Sequence, residues 1–325
     1  MKEEEIRPQK IFDEYLRLAA EDAQVCFDDA PIVNGSCPAC AKNGVFAFSK
    51  SCFSYEVCPN CHTLFVNPRP IAKAFTKYYT DSPSTKFWAT NFYKATEGAR
   101  REKLWKPKAR MILKTLENYA ASSHVLIDIG GGYGLFAEEI KKLCAQSPIV
   151  IEPGPHLAAA CRQKSLKVIE KFLEDINPGD LPNSPKVFVS FELFEHLHDP
   201  GFFLQQLNNL MSSGDLFIFT TLSGTGVDIL ALWDESKSVT PPHHLNFFNP
   251  FSIVLLLERH GFEDLEVTTP GKLDIDILIN NRASIKDRFW KTFATIASNS
   301  EKSAWQELIA TSGWSSHMMV VCRKP

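Results

Sequence analysis

Residues 125–143 pass directly from a strand, through a turn composed almost entirely of glycine, into a helix. The apolar run VLIDI at 125–129 is followed by Gly130-Gly-Gly-Tyr-Gly134 and then by LFAEEIKKL, whose apolar residues recur at helical spacing. Glycine has no Cβ atom, so a turn of this composition lets a ligand approach the backbone closely. The pattern therefore predicts an α/β fold with a ligand-binding turn at the end of its first strand.

Strand-like and helix-like segments alternate after this turn. The strand-like runs lie at 124–129, 148–152, 166–169, 186–191, 215–221, 264–269 and 317–323. Strands separated by helices predict a doubly wound, mostly parallel sheet with helices on both faces. We predict one Rossmann-like domain over 119–325, with a helical insertion at about 275–311. Residues 222–248 are too long for a simple connection, so we expect this segment to be functional.

The length and charge of the chain limit the classes of protein to which it can belong. The 325 residues suffice for about two domains, and 35 basic against 38 acidic side chains give a net charge of −3. This balance argues against nucleic-acid binding through bulk charge, although one local basic face would still allow it. Residues 1–10 are charged where a secretion signal needs an apolar core, and no apolar run is long enough to cross a bilayer. We therefore expect a cytoplasmic protein without a membrane partner.

Four of the nine cysteines form two Cys-x-x-Cys pairs separated by 17 residues, Cys37 with Cys40 and Cys58 with Cys61. Two such pairs supply the tetrahedral four-sulfur shell that Zn²⁺ prefers, and four protein ligands leave no position open for chemistry. Unligated thiols are the alternative, and a redox role fits poorly because a thioredoxin-type pair starts a helix after a strand. The domain prediction that follows is an N-terminal helix over 1–30, a zinc ribbon over 31–68 and a helical linker or lid over 69–118.

An acidic residue ends the second strand of the alternating region. Glu152 lies 22 residues after Gly130, where a carboxylate can accept hydrogen bonds from both hydroxyls of a ribose. Gly132–Ala137 satisfies G-x-G-x-x-G/A, as in nicotinamide sites, but the glycine that follows the strand directly is Gly130. Counted from Gly130, the turn favours S-adenosylmethionine, which has no pyrophosphate to place at a helix N-terminus. A glycine-rich turn without a ligand is the third possibility.

Two histidine-containing segments are expected near the carboxyl ends of the strands. His196 follows the fourth strand within FELFEHLHDP, and His243 and His244 lie in the long segment after the fifth strand. A neutral imidazole accepts a proton at working pH, so these residues are candidate general bases. The alternative for each is a histidine that only anchors loop backbone.

Residues 94–110 are basic and mostly helical in pattern. We interpret them as a solvated face, and the alternative is a landing surface for the phosphates of a nucleotide-linked substrate or of RNA. Tyr78 and Tyr79, just ahead of this stretch, are either part of a lid or core residues.

Taken together, these motifs resemble class I S-adenosylmethionine-dependent methyltransferases that carry an N-terminal zinc ribbon. The resemblance runs from about Cys37 to Asp276 and includes CPAC, CPNC, FVNPRP, DIGGGYG, VIEP, FELFEHLHDP, PPHHLNFF and TPGKLDIDI. It implies a seven-stranded sheet whose last strand inserts antiparallel. It also implies cofactor contacts at Asp128, Gly130, Gly132, Gly134 and Glu152, and just past the fourth strand at Phe191 and Glu192.

Within this family the layout is most similar to the deoxysugar C-methyltransferases, which act on nucleotide-linked keto-sugars. The resemblance implies catalytic roles for Tyr79, His196 and His244, with a histidine of the later loop as base. Two features depart from that pattern: His243 replaces a glutamate before His244, and we expect the separate sugar-binding C-terminal domain to be missing.

The predicted function is methyl transfer from S-adenosylmethionine to a small-molecule acceptor, with a histidine as general base and zinc as a structural ion. Acceptors of interest are a nucleotide-linked sugar and other precursors of polysaccharides or secondary metabolites. Three alternatives remain: an RNA methyltransferase whose ribbon binds the nucleic acid, a nicotinamide oxidoreductase, and a non-catalytic protein that only binds S-adenosylmethionine.

Overall fold

The computed structural model describes residues 1–144 and 146–325. The chain begins with helices α1 (Glu3–Ile6) and α2 (Gln9–Phe27). Apolar residues at spacings of three and four give α2 one buried face. Phe12 and Tyr15 on this face pack against Phe92, whereas Ala23 and Phe27 join the core of the cysteine-containing unit.

The cysteine-containing unit is a small antiparallel sheet. Its strands, with the short pair that flanks them, are β1 (Ile32–Val33), β2 (Val45–Lys50), β3 (Phe53–Val57), β4 (Leu64–Val66) and β5 (Arg69–Pro70). β2, β3 and β4 are hydrogen-bonded in that order, and β1 pairs with β5. Phe48, Phe53, Tyr55 and Leu64 are buried together with Phe27 of α2, so the unit shares its core with that helix.

Helices fill residues 72–118. They are α3 (Ala72–Asp81), α4 (Pro83–Phe87), α5 (Tyr93–Arg100) and α6 (Lys106–Asn118), joined by π-helical turns at Trp88–Phe92 and Arg101–Trp105. Phe75 and Tyr78 of α3 pack into the core of the cysteine-containing unit, whereas Ile112 and Leu116 of α6 pack on the central sheet. The helical segment therefore connects the two parts of the molecule.

The remaining elements alternate as the sequence predicts. They are β6 (Val125–Ile129), α7 (Leu135–Leu143), β7 (Ile149–Ile151), α8 (Pro155–Gln163), β8 (Lys167–Ile169), β9 (Lys186–Phe191), α9 (Pro200–Leu210), β10 (Leu216–Leu222), α10 (Val227–Leu232), β11 (Asn246–Phe247), α11 (Pro250–Arg259), β12 (Glu263–Thr268), α12 (Asp274–Asn280), α13 (Arg288–Ile296), α14 (Asn299–Thr311) and β13 (His317–Arg323).

Seven of these strands form the central sheet in the order β12-β13-β10-β9-β6-β7-β8. The sheet is parallel except for the last strand of the chain, β13, which is antiparallel to both β10 and β12. Every residue of β9 and β10 is buried, as expected of strands covered on both faces. The predicted fold class, a doubly wound seven-stranded sheet with an antiparallel last strand, is confirmed.

The strand order reverses between β6 and β9. From β6 the chain proceeds outward to β7 and β8, and it then returns to the other side of β6 to form β9 and β10. In sheets of this type a crevice opens at the carboxyl ends of the strands where the order reverses. The glycine turn after β6 and the segment after β9 flank this crevice.

The segment 222–248 is more ordered than a plain loop. It contains α10 and the short strand β11, which pairs with β4 of the cysteine-containing unit through Asn246 opposite Phe65 and Phe247 opposite Leu64. The strand therefore extends the small sheet and not the central one. This pairing fixes the loop histidines between the two parts of the molecule.

The helices α12, α13 and α14 lie between β12 and β13 in sequence and have a core of their own. Leu278, Ile285 and Ile309 are buried in it together with Leu232 of α10. Among the described residues, no helix combines the length and apolarity that a membrane span requires.

Candidate active site

The turn after β6 has the backbone geometry that its glycines predict. Gly130, Gly132 and Gly134 have φ angles of 70°, 55° and 68°, in the left-handed region that favours glycine. A Cβ atom at Gly132 would have no neighbour within 4 Å, whereas one at Gly134 would lie 2.8 Å from the Cys161 Sγ atom. The turn thus packs tightly below and leaves open space above Gly132, where a ligand can approach the backbone.

Glu152 lies directly beside this turn. Its Oε2 atom accepts a hydrogen bond of 2.8 Å from the Gly132 amide, and its Oε1 atom accepts one of 2.9 Å from the Gly154 amide. Burial raises the pKa of Glu152, and the two amide hydrogen bonds oppose that shift. Each carboxylate oxygen keeps a further lone pair, so Glu152 can hold the turn and still accept from a diol.

Asp128 lies beneath the turn and is almost fully buried. Its Oδ2 atom has no hydrogen-bond partner among the described residues. Burial, and then the charge of Glu152, raises the pKa of Asp128 to about 7. A buried carboxyl group without a partner is costly and is typical of binding sites. The adenosyl and amino-acid groups of S-adenosylmethionine fit this site, which combines the open space above Gly132 with the carboxyl groups of Glu152 and Asp128.

Phe191 ends β9 on the other side of the crevice, and Glu192 follows it directly. Glu192 adopts a φ of 53°, unusual for a residue other than glycine, and its Oε1 atom accepts a hydrogen bond of 2.7 Å from Thr220. The Lys108 Nζ atom lies 3.3 Å from the same oxygen and 4.6 Å from the centre of the Phe191 ring. Burial opposes ionisation, but His317, Lys108 and Thr220 outweigh it and hold the pKa of Glu192 well below its ordinary value.

The structure brings the three residues with predicted catalytic roles together. The ring centres of His196 and His244 lie 4.8 Å apart, and that of His243 lies 6.0 Å from His196. Tyr79 approaches the same group from α3, with its ring centre 5.8 Å from that of His243. Tyr78 is fully buried, and its hydroxyl lies 2.6 Å from the His243 Nε2 atom. Tyr78 is therefore a core residue that positions His243.

His244 is held in one tautomer. Its Nδ1 atom lies 2.6 Å from the carbonyl oxygen of Ser238, which can only accept, so Nδ1 carries the proton and Nε2 presents a lone pair. Burial lowers the pKa of His244 to about 4 and that of His243 to about 3. Burial and the two neighbouring histidines also lower the pKa of His196. All three rings are therefore neutral at physiological pH.

Glu195 completes this group. It is 1% exposed, and its Oε2 atom accepts a hydrogen bond of 2.7 Å from Thr221. Burial, and then the charge of Glu192, raises the pKa of Glu195 to about 8. The ligand atoms of Glu195, His196 and His244 lie within 4.8 Å of one another, a spacing that would also suit a metal ion.

Several polar residues of this crevice were not identified from the sequence as site residues. Lys108 belongs to the stretch interpreted as a solvated face, yet its side chain is only 11% exposed and contacts Glu192. His317 begins β13, more than a hundred residues after Glu192, and its Nδ1 atom lies 3.5 Å from the Glu192 Oε1 atom. The contact between His317 and Glu192 could have been expected only from the antiparallel insertion of β13 beside β10.

The four predicted zinc ligands form a compact cluster at the tips of the small sheet. The Sγ–Sγ distances are 3.5 Å for Cys37 and Cys61 and 3.4 Å for Cys40 and Cys58. Each pair sits in a matching turn, with the Ala41 amide donating to the Cys37 carbonyl and the His62 amide to the Cys58 carbonyl. Four sulfurs at these separations fit a tetrahedral zinc ion. Cys52 is exposed and does not belong to the cluster.

Comparison with known proteins agrees with this geometry. The family model of the methyltransferase domain matches residues 99–267. The ubiquinone biosynthesis O-methyltransferase of Colwellia psychrerythraea is 26% identical in an alignment of 159 residues that covers 44% of this chain and 62% of that protein. The chain therefore spans about three fifths of the length of this curated relative.

Two solved structures are similar in fold. Phosphoethanolamine N-methyltransferase 2 of Haemonchus contortus, in complex with S-adenosyl-L-methionine, has a TM-score of 0.51 and 16% identity, covering 81% of this chain and 63% of that one. A SAM-dependent methyltransferase of Thermotoga maritima has a TM-score of 0.48 and 14% identity, covering 73% of this chain and 98% of that one. Because the family model covers more than half of the chain, the resemblance to class I S-adenosylmethionine-dependent methyltransferases is confirmed, and the chain belongs to the methyltransferase domain family.

Proposed function

We propose that the chain transfers a methyl group from S-adenosylmethionine to a small-molecule acceptor, with His244 as general base. The observation that carries the proposal is the His244 ring, whose Nδ1 donates to the Ser238 carbonyl while its Nε2 has no hydrogen-bond partner among the described residues. This ring lies with His196 and Glu195, which follow β9 at the carboxyl end of the sheet. The glycine turn after β6 flanks the same crevice.

The cofactor residues have separate tasks in this proposal. Bound S-adenosylmethionine would supply an electrophilic methyl group. Gly130, Gly132 and Gly134 offer a backbone floor without side chains, and Glu152 accepts the ribose hydroxyls. Asp128 supports the turn from below, and Phe191 closes the apolar wall at the end of β9.

His244 accepts the proton that the acceptor loses. The proton arrives at Nε2, and the Nδ1–H bond to the Ser238 carbonyl stabilises the positive charge that develops on the ring. The charge of Glu192 favours this cation, whereas that of Arg7 opposes it. We assign Tyr79 and His196 to positioning of the acceptor. The Tyr79 ring approaches His243 from α3, and the His196 ring approaches His244 from the turn after β9.

We further propose that zinc in the cysteine cluster is structural. The cluster is tied to the methyltransferase domain at two points that do not involve the histidines. The Asn249 side-chain amide donates to the Cys61 carbonyl at 2.8 Å, and Arg259 donates to the Ala39 carbonyl at 2.5 Å. A metal that fixes these turns therefore also fixes the start and the end of α11.

The acceptor is proposed by class. The related proteins named above are an O-methyltransferase of ubiquinone biosynthesis and a phosphoethanolamine N-methyltransferase. Both names point to small acceptors, which supports a small molecule, such as a nucleotide-linked sugar or another biosynthetic precursor, over RNA.

Calorimetry on the full chain tests the cofactor assignment. We expect S-adenosylhomocysteine to bind and NAD and NADP not to bind. Gly132→Asn should weaken S-adenosylhomocysteine binding at least tenfold, because the new side chain occupies the open cradle. Gly214→Asn is the matched control, since Gly214 also has a positive φ and open space around its Cβ position but lies far from the turn in sequence. Equal affinity in both variants, or binding of NAD alone, would overturn the assignment.

A further inference from the structure

Three side chains of the crevice bring metal-ligating atoms together. Glu195 and His196 follow β9, and His244 comes from the loop before β11. Their ligand atoms lie within 4.8 Å of one another, and the rings of His196 and His244 meet edge to face. Two imidazoles and one carboxylate form a ligand set that holds Zn²⁺ in proteins. Glu195 is buried, but both histidines are only half-buried, so an ion can reach the site from the crevice.

Two of the three ligands are fixed by a hydrogen bond at one of their two polar atoms. The Nδ1 atom of His244 donates to the Ser238 carbonyl at 2.6 Å, and its Nε2 atom has no hydrogen-bond partner among the described residues. The Oε2 atom of Glu195 accepts from the Thr221 hydroxyl at 2.7 Å. In metal sites a ligating histidine almost always donates its other N–H, and a ligating carboxylate is itself hydrogen-bonded. The outer hydrogen bonds therefore match those of a metal site.

The two segments that carry the ligands are also joined to each other by hydrogen bonds. The Leu245 amide donates to the Glu195 carbonyl at 2.8 Å. Arg69 of β5 contacts both segments, because it donates to the His198 carbonyl at 2.6 Å and also to the Asn246 Oδ1 atom. The ligands are thus held near one another before an ion binds, which lowers the entropy cost of binding.

The charge of Glu195 is not balanced by a neighbouring cation. Glu195 is 1% exposed and forms no ion pair with the described residues, whereas Lys108 and His317 both contact Glu192. A buried carboxylate without a counterion is costly. Two states avoid this cost: a protonated carboxyl group, or a carboxylate that binds a metal ion. Zinc binding distinguishes these two states.

We propose that Glu195, His196 and His244 bind a divalent transition-metal ion such as Zn²⁺, in a second metal site apart from the cysteine cluster. The two nitrogen ligands favour Zn²⁺ over Mg²⁺, which prefers oxygen ligands. Three protein ligands leave at least one coordination position for water or another ligand. The cysteine cluster, by contrast, supplies four sulfurs and leaves no position open.

The metal site goes beyond the proposed function and bears on its general base. An ion at the His244 Nε2 atom occupies the lone pair that accepts the proton in the proposed methyl transfer. The ion and the proton therefore exclude each other at this nitrogen. A bound ion keeps the base inactive, and its release restores the base.

Zinc titration of the full chain tests the second site. Wild type and Glu195→Gln are titrated with Zn²⁺ by calorimetry, with Mg²⁺ in a parallel titration, and elemental analysis counts the bound metal. We expect wild type to bind one zinc per chain more than Glu195→Gln, and neither protein to bind Mg²⁺. Equal zinc content in the two proteins, or binding of Mg²⁺ alone at this site, would overturn the proposal.

Two neighbouring threonines of β10 provide a matched pair of variants. Thr221→Val removes the hydrogen bond to Glu195 but keeps all three ligands, so it should raise the Kd of the second zinc roughly 10–100-fold. Thr220→Val removes a hydroxyl that bonds Glu192 instead, and it should bind zinc as wild type does. Wild-type zinc affinity in both variants would show that the second zinc binds elsewhere.

Affinity for S-adenosylhomocysteine separates this inference from the proposed function. We expect Glu195→Gln to bind S-adenosylhomocysteine, which also shows that the variant is folded. If wild type binds S-adenosylhomocysteine but no second zinc, only the metal site fails. If it binds the second zinc but no S-adenosylhomocysteine, the proposed methyl transfer fails and the metal site remains.

Discussion

The molecule contains two clusters of potential metal ligands that are built in opposite ways. The thiol cluster of Cys37, Cys40, Cys58 and Cys61 comes from two short turns, and its sulfurs face one another at 3.4–3.5 Å. The second cluster, here called the histidine group, consists of Glu195, His196, His243 and His244, with Tyr79 of α3 beside them. Its potential metal ligands, Glu195, His196 and His244, come from the turn after β9 and from the loop before β11. In the first cluster the ligand atoms point inward and close the site. In the second, the Nε2 atom of His244 has no hydrogen-bond partner in the part of the chain that the structure describes.

The two clusters are nevertheless mechanically connected. β4, between the thiol cluster and the histidines, pairs with β11, and the Tyr55 hydroxyl donates to the His244 carbonyl at 2.7 Å. The thiol cluster thus supports the histidine group, because the loop that carries His244 is attached to the small sheet. A site that is closed to chemistry thus helps to determine the geometry of a site that is open to it.

The largest effect is expected from breaking the thiol cluster. Cys58→Ser, or zinc removal by a chelator, should unfold the small sheet, because a structural zinc site supplies on the order of 10 kcal/mol to folding. Loss of the β4–β11 pairing should release the His244 loop and abolish turnover. Near-ultraviolet circular dichroism and elemental analysis measure the loss of structure and of zinc.

Cys52→Ser is the matched control, because Cys52 is exposed and lies in the turn between β2 and β3 without belonging to the cluster. It should retain zinc, stability and turnover. A Cys58→Ser protein with wild-type melting temperature and activity would show that the four thiols do not support the fold.

Substitution of His244 should disrupt the histidine group directly. His244→Gln removes the free Nε2 lone pair and should lower kcat by roughly 10²–10⁴-fold, the usual contribution of a general base. Affinity for S-adenosylhomocysteine should stay unchanged, because among the described residues the His244 ring forms no hydrogen bond with the glycine turn. Product formation and calorimetry measure the two quantities.

His260→Gln provides the control for that substitution. His260 also bonds a backbone carbonyl through Nδ1, that of Leu256 at 2.8 Å, but lies at the opposite end of α11 from the histidine group. Equal activity of wild type and His244→Gln would remove His244 from the mechanism and leave His196 as the candidate base.

The two clusters also differ in how far the sequence could predict them. The Cys-x-x-Cys turns are local, so their spacing alone indicated the four ligands, and the strand–glycine–helix pattern likewise indicated Gly130 to Gly134 and Glu152. The pairing of β11 with β4 could not be predicted, because two residues have too little pattern to identify a strand partner. Lys108 follows the π-helical turn at Arg101–Trp105, which shifts the helix face relative to regular spacing and so turns Lys108 toward Glu192. The basic stretch therefore looked like a solvated face.

A smaller effect should follow from weakening the connection between the clusters. Tyr55→Phe leaves the His244 carbonyl without its donor inside a fully buried core, which should cost about 1–2 kcal/mol of unfolding free energy. The expected drop in kcat is at most about thirtyfold by the same energy. Urea unfolding and steady-state turnover measure both.

Tyr119→Phe is the control for the lost hydroxyl. Its hydroxyl donates to the Glu266 Oε2 atom at 3.0 Å on the surface near β12, away from both clusters. If Tyr55→Phe loses stability but not kcat, the hydroxyl supports the core alone and the loop is positioned by β11 without it.

The smallest effect concerns the acid stability of the histidine group. Burial holds the pKa of His243 at about 3, so the ring stays neutral in the folded state while the unfolded chain binds a proton below about pH 6.5. The unfolded state therefore binds more protons in this window, and the free energy of unfolding falls as pH decreases. Between pH 7 and 5.5 one such histidine should account for about 1 kcal/mol of the loss.

His243→Gln should accordingly lose about 1 kcal/mol less than wild type over that interval, measured by urea unfolding with excess zinc at both pH values. Excess zinc keeps the thiol cluster in one state, and any remaining acid effect on it cancels in the comparison of variants. His156→Gln removes an exposed histidine at the start of α8 and should keep the wild-type loss. If His243→Gln also keeps that loss, His243 is not held neutral by burial, and the histidine group is more open to water than its Tyr78 contact indicates.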